Sequence, residues 1–175
     1  MNNKAKFLQQ NVPCYLYEED LIKEHCHALL NAMPGVDFLY SVKTNPFMPV
    51  LKTVAAQSFG ADVASANEVL MAHEAGIPCD KIYYFAPGKT IQDLEKVWGK
   101  CTIIADSLSE LARLEQCAEV KNECISIGVR VNPNFSMNGE SAASSKFGID
   151  EDQLKTANLC FPHLEVIGIH VHLRS

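Results

Sequence analysis

Several short stretches of this chain set an ionisable side chain at the end of an apolar run. They read Ser41-Val42-Lys43-Thr44-Asn45, Gly60-Ala61-Asp62-Val63-Ala64-Ser65, Ala86-Pro87-Gly88-Lys89, Val129-Arg130-Val131 and His170-Val171-His172-Leu173-Arg174-Ser175. A lysine such as Lys43, held where an apolar strand ends, loses water. That loss disfavours the ammonium and lowers its pKa. A partly neutral amine attacks an aldehyde and forms a Schiff base. The competing reading is a lysine that has simply reached solvent. Asp62 lies between Ala61 and Val63, so its carboxylate either finds a cation or donor inside the fold or meets water at the strand mouth. Arg130 interrupts Ile127-Gly128-Val129 and Val131. It pairs with a carboxylate or a phosphate, or forms a purely structural ion pair. Glu68, three residues after Ser65, is placed to cap or charge the first turn of a helix. His170 and His172 alternate on a strand, so their rings share a face. Either they form a metal-binding pair, with Asp62 or Asp106 as further ligands, or one ring stacks on a flat cofactor while the other is structural.

Those groups need elements to hold them. β-rich runs predict strands at Asp37–Lys43, Phe59–Ser65, Lys81–Ala86, Cys101–Asp106, Cys124–Asn132 and Val166–Leu173. Runs such as Ile82-Tyr83-Tyr84-Phe85 are almost continuously apolar, which suits strands buried on both faces of a parallel sheet. Helical spacing falls between them, over Glu68–Ala75 and Leu108–Val120. Ser65 and Asp106-Ser107 stand where helix starts are expected. The strand ends Lys43, Ser65, Ala86, Asp106, Asn132 and Leu173 are spaced 22, 21, 20, 26 and 41 residues apart. The near-constant early period favours a (β/α) barrel, and no GxGxxG follows the first strand, which counts against a dinucleotide-binding sheet. A complete barrel needs about 250 residues. The expectation is therefore a partial barrel with no internal domain boundary, a fragment of a longer protein.

Composition narrows the class. Apolar residues make up 47% and charged residues 21%, the balance of an ordinary globular domain. Net charge is −6 with no basic run, so nucleic-acid binding is not expected. No apolar stretch approaches the ~18 residues of a membrane helix, and Met1 to Gln10 lack the apolar centre of a signal peptide. The expected location is cytoplasmic. The seven cysteines are odd in number and none is spaced as CxxC. They read as reduced, mostly buried thiols.

Six segments in order carry a family resemblance: Pro13-Cys14-Tyr15-Leu16-Tyr17, Tyr40 to Asn45, Gly60 to Glu68, Phe85-Ala86-Pro87-Gly88-Lys89-Thr90, Ser145-Lys146-Phe147-Gly148-Ile149 and Gly168 to Ser175. Together they resemble the N-terminal barrel half of the fold-type III pyridoxal-phosphate decarboxylases. These include diaminopimelate, ornithine and arginine decarboxylases and are related to alanine racemase. The resemblance implies an α/β fold, an alanine-racemase-like partial TIM-type barrel over residues 1–175. It implies pyridoxal 5'-phosphate as cofactor, decarboxylation of an α-amino acid, and a homodimer in the full-length protein. It implies that Lys43 holds the cofactor and that the His172 ring stacks on it. Ser175 would lie near its phosphate and Asp62 close to its reactive carbon, with Arg130 and Glu68 lining the pocket.

Arg174 departs from the pattern, since a glycine usually precedes the serine. Its charge can crowd the phosphate end or aid an acidic group. The glycine-rich phosphate loop, the acidic partner of the pyridine nitrogen and the C-terminal β-domain of that family have no counterpart in this sequence. The expectation is that this chain alone releases no CO₂. Diaminopimelate is the first substrate expected, from the His170-Val171-His172 and Ser145 to Ile149 segments. The alternatives are a non-catalytic cofactor-binding relative and a metal-dependent barrel hydrolase using His170 and His172.

Overall fold

The structure, a computed structural model, describes residues 13–134, 145–156 and 160–172. In chain order its elements are α1 (Glu19–Ala32), β1 (Leu39–Ser41), α2 (Met48–Ala55), β2 (Gly60–Val63), α3 (Ala66–Glu74), β3 (Ile82–Phe85), α4 (Ile91–Val97), β4 (Thr102–Ala105), α5 (Leu108–Lys121), β5 (Ile125–Asn132), β6 (Ile149–Asp150), α6 (Glu151–Thr156) and β7 (Leu164–Val171). A 3-10 turn at Val42–Thr44 follows β1.

Three strand-to-helix junctions close with one device. Ser65, Thr90 and Ser107 cap α3, α4 and α5, each side-chain oxygen accepting the N–H three residues on. The acidic residue at that third position reaches back. Glu68 Oε2 accepts from the Ala64 N–H at 2.8 Å, Asp93 Oδ2 from the Thr90 N–H at 3.1 Å, and Glu110 Oε2 from the Asp106 N–H at 3.4 Å. Each pair satisfies two donors that a helix start leaves open, and puts negative charge at the positive end of the helix dipole. The bland expectation for Glu68 is thus what its carboxylate does.

Every strand pairing is parallel, and β1 to β5 pair in chain order. Val131 of β5 pairs with both Ile149 of β6 and Val171 of β7. A strand has two edges, so β6 extends the β4 side of β5 and β7 takes the other. Parallel strands in chain order, each followed by a helix, form the opening arc of a (β/α) barrel. Register then assigns faces. Ala61 with Ile82, Val63 with Tyr84, Ile103 with Ile127 and Ala105 with Val129 lie side by side on the helix-covered face. All eight are buried, packed with Val69, Ala72, Leu111 and Leu114 of the helices. Burial of each Val, Ile or Leu among them is worth about 1.5–3 kcal/mol.

The other face corrects the sequence reading. On β3 burial alternates, with Ile82 and Tyr84 buried but Tyr83 and Phe85 only partly so. Among the described residues β1 pairs only with β2 and β7 only with β5, so the concave face has no far wall to bury it. The apolar run of β3 reflects a face that is lined but not closed. The strands are also shorter than predicted at most ends, and β7 begins at Leu164 rather than Val166. The two-residue β6 carried no periodic signal.

Gly60 opens β2 where the chain passes close to its neighbours. A Cβ there would run into the Lys81 carbonyl oxygen and the Leu39 side chain. Gly60→Ala is expected to lower stability by about 1–3 kcal/mol, the range for overpacking, read from urea unfolding.

The thiols are less buried than expected. All seven are free, but only Cys26 is buried, while Cys14, Cys124 and Cys160 are exposed. Those three stand outside the regular elements. Burial pushes the Cys101 thiol from 9 up to about 12, and the buried Tyr84 hydroxyl from 10 up to about 12. Both groups keep their proton in the folded chain where the unfolded chain loses it. Stability is therefore full below pH 9 and falls as pH rises from about 9 through 12. Cys101→Ala should flatten the first part of that decline in urea midpoints.

Candidate functional site

The carboxyl ends of the strands meet on one rim, where parallel α/β folds gather their chemistry. Lys43 stands in the 3-10 turn just beyond β1, above the fully buried Val42. The turn is braced by three bonds: Thr44 Oγ1 donates to Ser41 O at 2.7 Å, the Asn45 N–H to Val42 O at 3.1 Å, and the Tyr40 hydroxyl to Asn45 O at 3.1 Å. Lys43 itself is exposed. The burial expected for it is not met among the described residues, because the concave side it adjoins is open. The braced backbone fixes where the amine starts, and the open side makes it accessible.

Asp62 lies on β2 in register with Ser41 and Tyr83, on the concave face. It is partly exposed and makes no hydrogen bond to the described residues, which fits the second of its two readings, a carboxylate that meets water at the strand mouth. Arg130, on β5, donates from Nη1 to Asp106 Oδ1 at 3.0 Å, and its guanidinium sits 5.2 Å from the centre of the Phe147 ring. Gly148, with φ +82°, lets this segment pass close: a Cβ there would meet Arg130 and the Asn132 N–H at 3.2–3.3 Å. The structural ion pair expected as the alternative for Arg130 is therefore present, and it lies at the rim.

His170 follows Arg130 in register on β7. Its ring is 4.3 Å from that of Phe85 and 6.4 Å from that of His172, so both imidazoles lie on one side as strand geometry dictates. Burial, then the Arg130 and His172 charges, hold the His170 pKa below the usual range. Its Nδ1 is buried and has no partner among the described residues. His172 is exposed. Leu173, Arg174 and Ser175 lie outside the described residues. Among the described residues no three His, Cys, Asp or Glu side chains gather as a metal site, and no helix is long and apolar enough to cross a membrane.

One pairing is not legible in the sequence. Lys89 is wholly buried and donates to Ala86 O, Ile104 O and Glu110 Oε1, each at 2.7 Å. Burial pushes the lysine pKa down and the glutamate pKa up, and each partner opposes the shift of the other. Three acceptors surround Nζ, as many as an ammonium has hydrogens. The signal was present in two places, Gly88-Lys89 at a strand end and Ser107-x-x-Glu110 at a helix start, but nothing in the sequence pairs them. A cleft of about 220 Å³, lined in part by Asp80, Trp98, Cys101 and Ser126, opens at the opposite end of the strands. It takes no part in the rim.

A flat carbonyl-bearing cofactor makes three demands: a reachable amine, flat rings to lie against, and charged groups beside it. The rim supplies Lys43, then the rings of Phe85, His170 and His172, and then Asp62 and Arg130. Among the described residues the Nδ1 of His170 has no protein partner, which leaves a polar atom on that side. The residues present fit the group.

This fold and rim define the first part of a barrel built to hold such a cofactor, and comparison with known proteins gives the family. The profile of the pyridoxal-dependent decarboxylases, pyridoxal binding domain, matches residues 19–175. The chain belongs to that family, and the cofactor that goes with the domain is pyridoxal 5'-phosphate. Among curated relatives, L-glutamyl-(BtrI acyl-carrier protein) decarboxylase of Niallia circulans is 32% identical over 91% of this chain and 40% of its own length. Diaminopimelate decarboxylase of Zymomonas mobilis is 30% identical over 95% of this chain and 43% of its own. The crystal structure of Helicobacter pylori diaminopimelate decarboxylase complexed with L-lysine superposes with a TM-score of 0.84 at 26% identity, covering 99% of this chain and 47% of that one. The chain thus spans less than half the length of these relatives. The metal-dependent hydrolase is set aside by this match.

Proposed function

We propose that this chain is the cofactor-holding barrel portion, residues 1–175, of an enzyme that decarboxylates an α-amino acid, with diaminopimelate as first candidate substrate. The observation that carries the reading is an accessible amine, Lys43, on a braced turn at the strand-end rim of a pyridoxal-binding domain. Two named relatives support the substrate class, one a diaminopimelate decarboxylase and one a decarboxylase of an acyl-carrier-bound glutamyl group. When bound, the cofactor supplies a ring that takes up the electron pair left as CO₂ departs.

The chain's own residues have narrower tasks. Lys43, exposed on its braced turn, would hold the cofactor through its amine. His172 would offer its ring as a flat surface for the cofactor. Asp62 places negative charge on the concave face beside Tyr83 of β3, where it would favour a protonated nitrogen over a neutral one. Arg130, steered by Asp106 and Phe147, offers a cation to an acidic group. Ser175 is assigned to the phosphate. Glu68 acts at one remove, since its Oε2 already holds the Ala64 N–H. Loss of CO₂ is balanced by one proton returned to the α-carbon. The reading carries with it a cytoplasmic homodimer in the longer protein.

Adding pyridoxal 5'-phosphate to the chain should produce a visible absorbance band, while diaminopimelate supplied to the same sample should release no CO₂. Absence of the band would refute cofactor binding. Measurable CO₂ would refute the need for groups outside this chain.

A further inference from the structure

Two junctions of this fold share the pattern Ser-x-x-Glu, yet their carboxylates differ. At Ser65–Glu68 the carboxylate is partly exposed and, among the described residues, bonds only the Ala64 N–H. At Ser107–Glu110 the carboxylate is wholly buried, and its second oxygen takes the ammonium of Lys89. Stability does not explain the difference, because an apolar pair of similar volume serves a buried site as well or better. The residue next to the strand end does. Past β2 it is Ala64, whereas past β4 it is Asp106, the anchor of Arg130.

We propose that Lys89 and Glu110 are positioning residues that set Asp106, and through Asp106 the direction of the Arg130 guanidinium on the concave face. Glu110 Oε2 accepts from the Asp106 N–H, and Lys89 Nζ ties that carboxylate to Ala86 O and Ile104 O. The backbone from which the Asp106 side chain leaves is thereby fixed against the ends of both β3 and β4. Asp106 Oδ1 then accepts from Arg130 Nη1, and the Phe147 ring lies 5.2 Å from the guanidinium. Two side chains that never reach the concave face thus determine where its cation points. The consequence for cofactor binding rests on the function proposed above, but the positioning itself does not.

The test uses Lys89→Met/Glu110→Met, which removes both charges together and keeps the volume, so the chain is expected to stay folded with a urea midpoint near the original. In the ligand-free chain, nitrogen-15 NMR reads the Arg130 side-chain N–H exchange. It should speed by about tenfold or more in the double variant, as it does in Asp106→Ala. Unchanged exchange would overturn the proposal, as would a change confined to Asp106→Ala. Should the double variant not fold, Glu110→Gln, which keeps a side-chain acceptor for Lys89 but removes the charge, gives the same reading on a smaller scale. A cofactor titration adds the second arm. Lys89→Met/Glu110→Met should weaken pyridoxal 5'-phosphate binding severalfold in the original background and have no further effect beside Arg130→Met. Additive effects would count against action through Arg130. If exchange speeds but the unmodified chain binds no cofactor, the positioning stands and the function proposed for the rim falls.

Discussion

Lys43→Ala should abolish the visible band that pyridoxal 5'-phosphate gives with the unmodified chain. The effect is all-or-none because it removes the atom that condenses, not a contact beside it. Lys43→Arg should behave the same way, since a guanidinium keeps the charge but has no neutral amine to offer. In the longer protein, CO₂ release should fall by more than about a thousandfold, the order expected when a covalently acting group is lost. Folding should be untouched. Lys43 is exposed and its side chain makes no bond to the described residues, so a substitution there changes stability by no more than about 0.5 kcal/mol. Far-ultraviolet circular dichroism and a urea midpoint check that the missing band is not a missing fold.

The largest loss of stability should come from Lys89→Met. That change leaves a wholly buried carboxylate at Glu110 and two carbonyls without their donor. Breaking a buried pair from one side costs about 3–5 kcal/mol, against which the whole margin of a domain this size is about 5–15 kcal/mol. Glu110 then has burial raising its pKa and no lysine to lower it. A carboxyl whose folded pKa is raised binds a proton more readily folded than unfolded. Its contribution is therefore most favourable at low pH and is lost as pH rises through the folded pKa. The deficit of Lys89→Met should be greatest near pH 7 and should shrink as pH falls towards the ordinary carboxyl value of 4.5. Urea midpoints across that range measure it. The Lys89→Met/Glu110→Met variant should recover most of the loss.

The strand-helix alternation was legible because it rests on local chemistry. Ser65 and Ser107 announce α3 and α5 by the hydroxyl they offer, and the apolar faces of β2 to β5 announce themselves by β-branched and aromatic side chains. The rim was legible for the same reason, since Lys43, Asp62, Arg130 and the two histidines interrupt apolar runs. Burial was not legible to the same degree. Whether Phe85 or Ile169 is covered depends on what stands opposite, and among the described residues Ile169 remains 72% exposed. Pairing across elements was less legible still. Lys89 and Glu110 are 21 residues apart and meet only because β3 and β4 are neighbours in the sheet. Asp106 stood out as a carboxylate at a strand end, but its partner is Arg130 on β5, not a metal ion.

One measurement reaches the central claim most directly. The chain is mixed with pyridoxal 5'-phosphate, reduced with borohydride so that any carbon–nitrogen double bond becomes a stable amine, and digested for peptide mass spectrometry. The expected result is a pyridoxyl adduct on Lys43 well above the level on other exposed lysines such as Lys52 and Lys146. An adduct spread evenly over surface lysines, or concentrated on one away from the rim, would contradict the account.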